Sequence, residues 1–129
     1  MRSWSRAATA ARLGVLVAVL LAGCGRSPES TVESFYWAVG KGEITKAKSY
    51  VSAQVIGMLG DPKLTAALSS ETERVRACGG IKSVEVKLQG EGEVRTGLAT
   101  VTYLGRCQTK TEQMRVIKED GKWKITADK

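Results

Sequence analysis

The chain has 129 residues, with 20 Lys and Arg against 13 Asp and Glu, a formal net charge of +7, three Cys and no His. That length suits one domain with a modest core, and without imidazole the chain lacks the commonest acid–base and metal-binding side chain. Lys and Arg are interleaved with Glu, with no basic block and no array of stacking aromatics, which argues against a nucleic-acid partner.

Arg2, Arg6 and Arg12 precede nine mostly apolar residues, Leu13 to Leu21, and then Ala22, Gly23 and Cys24. A positive start, a short hydrophobic run and small residues before a processing point form a bacterial secretory signal, and nine residues are too few to cross a hydrocarbon layer of about 30 Å. Leu21-Ala22-Gly23-Cys24 resembles a lipobox, in which the Cys sulfur is acylated and the Cys becomes the first mature residue. The expected organisation is a signal peptide over 1–23, lipidated Cys24 with a tether over 24–27, and one domain over 28–129. An ordinary signal peptide with a chance Cys is the alternative. Loss of three arginines with the signal lowers the net charge from +7 to +4.

Cys78 and Cys107 then remain. An exported chain meets an oxidising compartment, so these two are expected to pair, the alternative being two separate buried thiols. There is no CxxC motif for thiol exchange, and two Cys without His do not close a zinc sphere. No metal or cofactor is expected.

Ser27-Pro28 offers a helix start, and Ser30 with Glu33 a competing capping box. Val32, Phe35, Tyr36 and Val39 recur at helical spacing, and Gly40 and Gly42 end the run. Trp37 points nearly opposite; a later segment would cover it, or else it would meet a partner or the lipid interface. Glu43 to Val51 reads as a second helix packed on the first. Ser52 to Gly60 is looser, an apolar cluster with at most a helical turn. Asp61-Pro62 opens a third helix carrying Leu64, Leu68 and Val75, which Gly79-Gly80 stops.

From Ile81 the period becomes two. Val84, Val86 and Leu88 alternate with polar residues, Gly90 to Glu93 turn, and Val94 to Leu104 returns with Ala99, Val101 and Tyr103 on one face. The Gly90–Gly92 stretch leads into a strand, where a phosphate loop would need a helix amino terminus. Cys107 to Glu119 is a third strand, Asp120-Gly121 a two-residue hairpin turn, and Lys122 to Thr126 the fourth strand with Trp123 and Ile125 inward. Pairing Gln89 with Val94 brings Cys78 and Cys107 to one end of the sheet, joining the third helix's exit to the second turn.

Three helices followed by a curved four-stranded antiparallel sheet, an α+β cone, is the order of the nuclear transport factor 2-like (NTF2-like) superfamily. Within it the chain resembles small bacterial lipoproteins carrying the domain of unknown function 4878. The resemblance rests on Ser27-Pro28, Phe35-Tyr36, Gly42-Glu43 with Ala47-Lys48, Gly79-Gly80-Ile81-Lys82-Ser83-Val84 and Glu119-Asp120-Gly121-Lys122-Trp123-Lys124-Ile125. It implies a fold and an envelope location but no established reaction.

Superfamily enzymes of the isomerase or cyclase type need an acid or base aimed into the cone. Here the expected inward residues are mostly apolar, Tyr36 and Tyr103 are the only attractive polar ones, and Glu85 and Glu112 read as solvent-facing. The expectation is therefore a non-catalytic accessory or interaction module that associates with envelope proteins or a second copy, using Trp37 and the Thr-rich strand faces. The alternative is a small apolar or amphipathic ligand in the cone, lined by Tyr36, Leu68, Val86, Val101, Tyr103, Met114 and Trp123; an isomerase or cyclase is the third option. Gly25 after Cys24 favours an outer membrane, facing the periplasm, in a host that has one.

Overall fold

The structure, a computed structural model, describes residues 26–127. The expected signal segment and Cys24 lie outside that range. Four helices precede four strands: α1 (Pro28–Lys41), α2 (Ile44–Lys48), α3 (Ala53–Leu59), α4 (Asp61–Ala77), β1 (Ile81–Gln89), β2 (Val94–Tyr103), β3 (Lys110–Glu119) and β4 (Lys122–Thr126).

Of the two helix starts offered by the sequence, the earlier one is used. The Ser30 N–H donates to Ser27 Oγ at 3.0 Å, and Pro28 sits in the first turn, where an N–H has no helical partner. Gly42 ends α1 with a positive φ of 78°. The segment from Ser52 to Gly60 departs from expectation by forming a helix of its own, α3. Ser52 caps it by accepting from the Val55 N–H at 3.2 Å, and none of its residues is buried, so apolar periodicity could not announce it. The helices before the sheet therefore number four, not three.

The sheet is an open, curved antiparallel meander in the order β1-β2-β3-β4. Its first register differs from the expected one: Gln89 lies opposite Thr96, two residues beyond Val94. Because side chains alternate with period two, a two-residue slip keeps every inward residue inward. The wider turn moves the strands along each other, and an irregularity between Ile81 and Ser83 adjusts the far end. Asp120 and Gly121 both take positive φ, 50° and 79°, as the tight hairpin between β3 and β4 requires. A short stretch after α2 adds to the edge of β4: Val51 bridges Ile125 in parallel, with the Ile125 N–H donating to Tyr50 O at 2.7 Å.

All helices lie on one face of the sheet, and α1 divides the interior in two. On the sheet side, Val32, Tyr36 and Val75 pack with Ile81, Ala99, Val101, Tyr103 and Val116. On the other side, Ala38 and Val39 pack with Ala47, Val51, Leu64 and Leu68. Each fully buried Val in these clusters stabilises the fold by about 1.5–3 kcal/mol relative to exposure. Thr72 ties the two long helices together, its hydroxyl 2.6 Å from the Val39 carbonyl near the end of α1.

Cys78, which caps α4, is joined to Cys107 in the β2–β3 connection, with Cα atoms 5.4 Å apart. Beside this bond the backbones nearly touch. The Gly105 N–H donates to Cys78 O at 2.8 Å, and a Cβ on Gly79, at φ +85°, would come within 2.8 Å of Gly105 N.

Candidate functional site

The inner face of the sheet carries more than hydrocarbon. Register places Glu112 opposite Ala99, on the same side as Met114 and Val116, and this corrects the expectation that Glu112 faces solvent. Its carboxylate accepts a short hydrogen bond from the Tyr36 hydroxyl, which also lies 3.5 Å from Met114 Sδ. Lys110, two residues earlier on the same face, sits 3.1 Å from Glu112 and 3.6 Å from Glu71 of α4. Glu71 is chelated by Arg74, one turn on, whose Nη2 donates to Tyr103 Oη at 3.2 Å. Two carboxylates, two cations and two phenols thus form one connected chain from α1 across β3 and α4 to β2.

The electrostatics of the chain are self-balancing. Burial pushes the Tyr36 hydroxyl far above the usual tyrosine range, and the hydrogen bond to Glu112 adds to the shift. The hydrogen bond from Arg74 holds the Glu71 carboxyl below its ordinary value and in turn keeps the guanidinium charged. Tyr36 is therefore a fixed donor, and Glu71 a fixed anion already matched by cations.

Six of the seven residues expected to line a cavity meet at one cluster. Tyr36, Val101 and Tyr103 are buried in it, and Val86, Met114 and Trp123 pack against it. Leu68 does not join them; it lies in the second cluster, across α1. Grooves open at the surface of the described residues, two of them beside these elements. The larger, about 570 Å³, runs along β2 and β3 beyond the end of β4, past Thr96, Gly97, Gln113, Met114, Arg115 and Thr126. The smaller, about 290 Å³, is flanked by Arg26, Tyr50, Lys122, Trp123 and Lys124. Trp123 also has Arg95 and Lys118 within 5.1 Å and 5.4 Å of its ring.

The sequence sets Glu112 toward solvent and does not single out Lys110, Arg95 or Lys118. Parity could have found all four: Lys110, Glu112 and Lys118 share odd–even phase with inward Met114 and Val116, and Arg95 with Ala99 and Val101. Glu71 and Arg74 carry no such mark, since each flanks the apolar stripe of an ordinary amphipathic helix.

Among the described residues, no helix covers the opposite face of the sheet. It carries Thr96, Thr100, Thr102 and Thr111, with Val94 and Leu98 exposed at 39% and 47%. Trp37 is 37% exposed. Among the described residues there is no group of three or more His, Cys, Asp and Glu able to hold a metal. Nor is any helix among them long and apolar enough to cross a membrane.

Among solved structures, a candidate NTF2-like transpeptidase from Campylobacter jejuni superposes with a TM-score of 0.70 at 15% identity, over 80% of this chain and all of that one. This likeness establishes the NTF2-like fold. A de novo designed protein with a curved β-sheet aligns at a TM-score of 0.45 and 17% identity, over 77% of this chain and 83% of that one. No curated protein matches. The sequence profile of the Domain of unknown function (DUF4878) matches residues 22–126, nearly the whole chain, which therefore belongs to that family.

Proposed function

We propose that the chain is a lipoprotein of a bacterial cell envelope, anchored through acylated Cys24, whose domain acts by associating with other envelope components and not by catalysis. The observation that carries this reading is the bare outer face of the sheet, a Thr-rich surface holding exposed Val94 and Leu98. A sheet whose other face packs against the helices has this side free for contact, and uncovered apolar side chains set among polar ones suit a partner surface.

The inward polar chain supports the non-catalytic part. A general base needs an open lone pair and a proton affinity near the working pH. Glu112 is already engaged by Tyr36 and Lys110, and Tyr36 holds its proton. Cys78 and Cys107 are joined to each other, so neither is a free thiol.

A photocrosslinking amino acid at Leu98 in the full chain, activated in intact envelopes, should capture a partner or a second copy, whereas one at Lys63 on α4 should not. Equal capture, or none, at both positions would refute association through the sheet. A second reading, a small amphipathic ligand in the larger groove, is favoured by its volume of about 570 Å³, within the range of small-molecule sites. An apolar dye displaced by Met114→Lys, with the fold intact, is the expected sign of it.

A further inference from the structure

We propose that the smaller groove is a seat for the phosphate of an anionic lipid headgroup in the membrane that holds the tether. The inference rests on the proposed acylation of Cys24 and adds the partner of this end of the molecule. Arg26, at the groove, is two residues after Cys24. Two residues span at most about 7 Å even when extended, and the polar layer of one leaflet is about 5–8 Å deep. A tether this short leaves the groove at headgroup level.

The chemistry of the groove fits that depth. Arg26, Lys122 and Lys124 supply three cations, and Lys124 Nζ is steered inward by the Ser49 carbonyl at 2.6 Å. Arg26 lies 5.6 Å from the Tyr50 ring and donates to Ser34 Oγ at 3.0 Å, which holds the guanidinium at the rim. Tyr50 and Trp123 have apolar bodies and polar tips, the side-chain type suited to a surface that is half wet. Arg95 and Lys118 stand behind Trp123. Of the nearby carboxylates, Glu119 is turned to the Ala53 N–H at 3.2 Å, while Glu29 begins α1 and Asp120 forms the exposed turn. Among the described residues, no ion pair engages Arg26, Lys122 or Lys124. Each cation near an anionic leaflet adds to the attraction.

The test uses the full chain with Trp37→Phe, expressed in a host that processes lipoproteins and reconstituted into vesicles of phosphatidylcholine or of phosphatidylglycerol. Loss of the signal, with Trp4, leaves Trp123 as the single indole. Its emission should shift to the blue, and its quenching by acrylamide should fall, in phosphatidylglycerol relative to phosphatidylcholine. Arg26→Ala/Lys122→Ala/Lys124→Ala should abolish that difference, whereas Lys82→Ala/Lys87→Ala/Arg106→Ala should preserve it. Equal emission in the two lipids, or equal loss in both triple variants, overturns the proposal. The same shift on adding inorganic phosphate to detergent-held protein would make the groove a site for a free anion and overturn the lipid assignment. Intact mass separates the two levels: a chain without acyl mass refutes the tether, while an acylated chain indifferent to lipid charge refutes the groove alone.

Discussion

The two ends of the sheet are built on opposite principles. At one end the exit of α4, the start of β1 and the β2–β3 connection are fastened by Cys78–Cys107 and by backbones so close that Gly79 and Gly105 have no room for side chains. At the other end, near Arg26, the hairpins turn through Gly92 and Gly121 with nothing within 4 Å of a would-be Cβ, and cations stand around Trp123. One end is held by covalent and steric constraint. The other keeps its polar and aromatic groups available, which is what a surface meeting something outside the molecule requires.

The largest effect should come from the fastened end. Cys78→Ser/Cys107→Ser opens a loop of 29 residues and should lower unfolding free energy by about 3–4 kcal/mol on the chain-entropy view, measured by urea denaturation. A loss below about 1 kcal/mol would mean the packing there is self-sufficient. Two glycines at similar positive φ, 85° and 79°, sharpen the contrast: Gly79→Ala meets backbone and should cost about 2–3 kcal/mol, while Gly121→Ala meets open space and should cost only about 1. Similar costs at both would erase the distinction.

Between the ends, Tyr36→Phe deprives Glu112 of its donor and should cost about 1–2 kcal/mol. It should also alter the pH profile. Because the folded-state pKa of Tyr36 is raised, its contribution is complete below the unfolded tyrosine value and is lost as pH rises above about 10; the variant should lose stability less steeply there. Glu71 acts at the other extreme. Its pKa is lowered, so its contribution is present above the unfolded carboxylate value and fades as pH falls below about 4, a decline that Glu71→Gln should soften. The smallest change belongs to the open end, where Lys118→Ala should cost about 0.5–1 kcal/mol at most, if its contact with Trp123 is an exposed cation–π pair.

The backbone plan could be read from the sequence because its signals are local. Ser27-Pro28, Gly42, Asp61-Pro62, Gly79-Gly80 and Asp120-Gly121 each mark an element boundary by their own stereochemistry, and the change of period at Ile81 separates helices from strands. Two sulfurs in a chain expected to be exported, brought to one end by an antiparallel turn, point to the disulfide despite a register two residues off, since either register carries both to the same end. α3 escaped because it buries nothing, and the parallel bridge of Val51 to Ile125 because it joins residues 74 apart through tertiary packing. The polar chain at Glu112 was hidden differently. Hydrophobicity treats a carboxylate as an outward marker, and only the phase of β3 says otherwise; its partners Tyr36, Glu71 and Arg74 come from other elements, which no local pattern links.

The proposed contact of the open end with a membrane depends on Cys24. Mass spectrometry of the amino-terminal peptide from envelope fractions tests it most directly. The first residue should be Cys24 carrying diacylglycerol on sulfur. Recovery of Cys24 unmodified, inside a chain that still retains residues 1–23, would contradict the account.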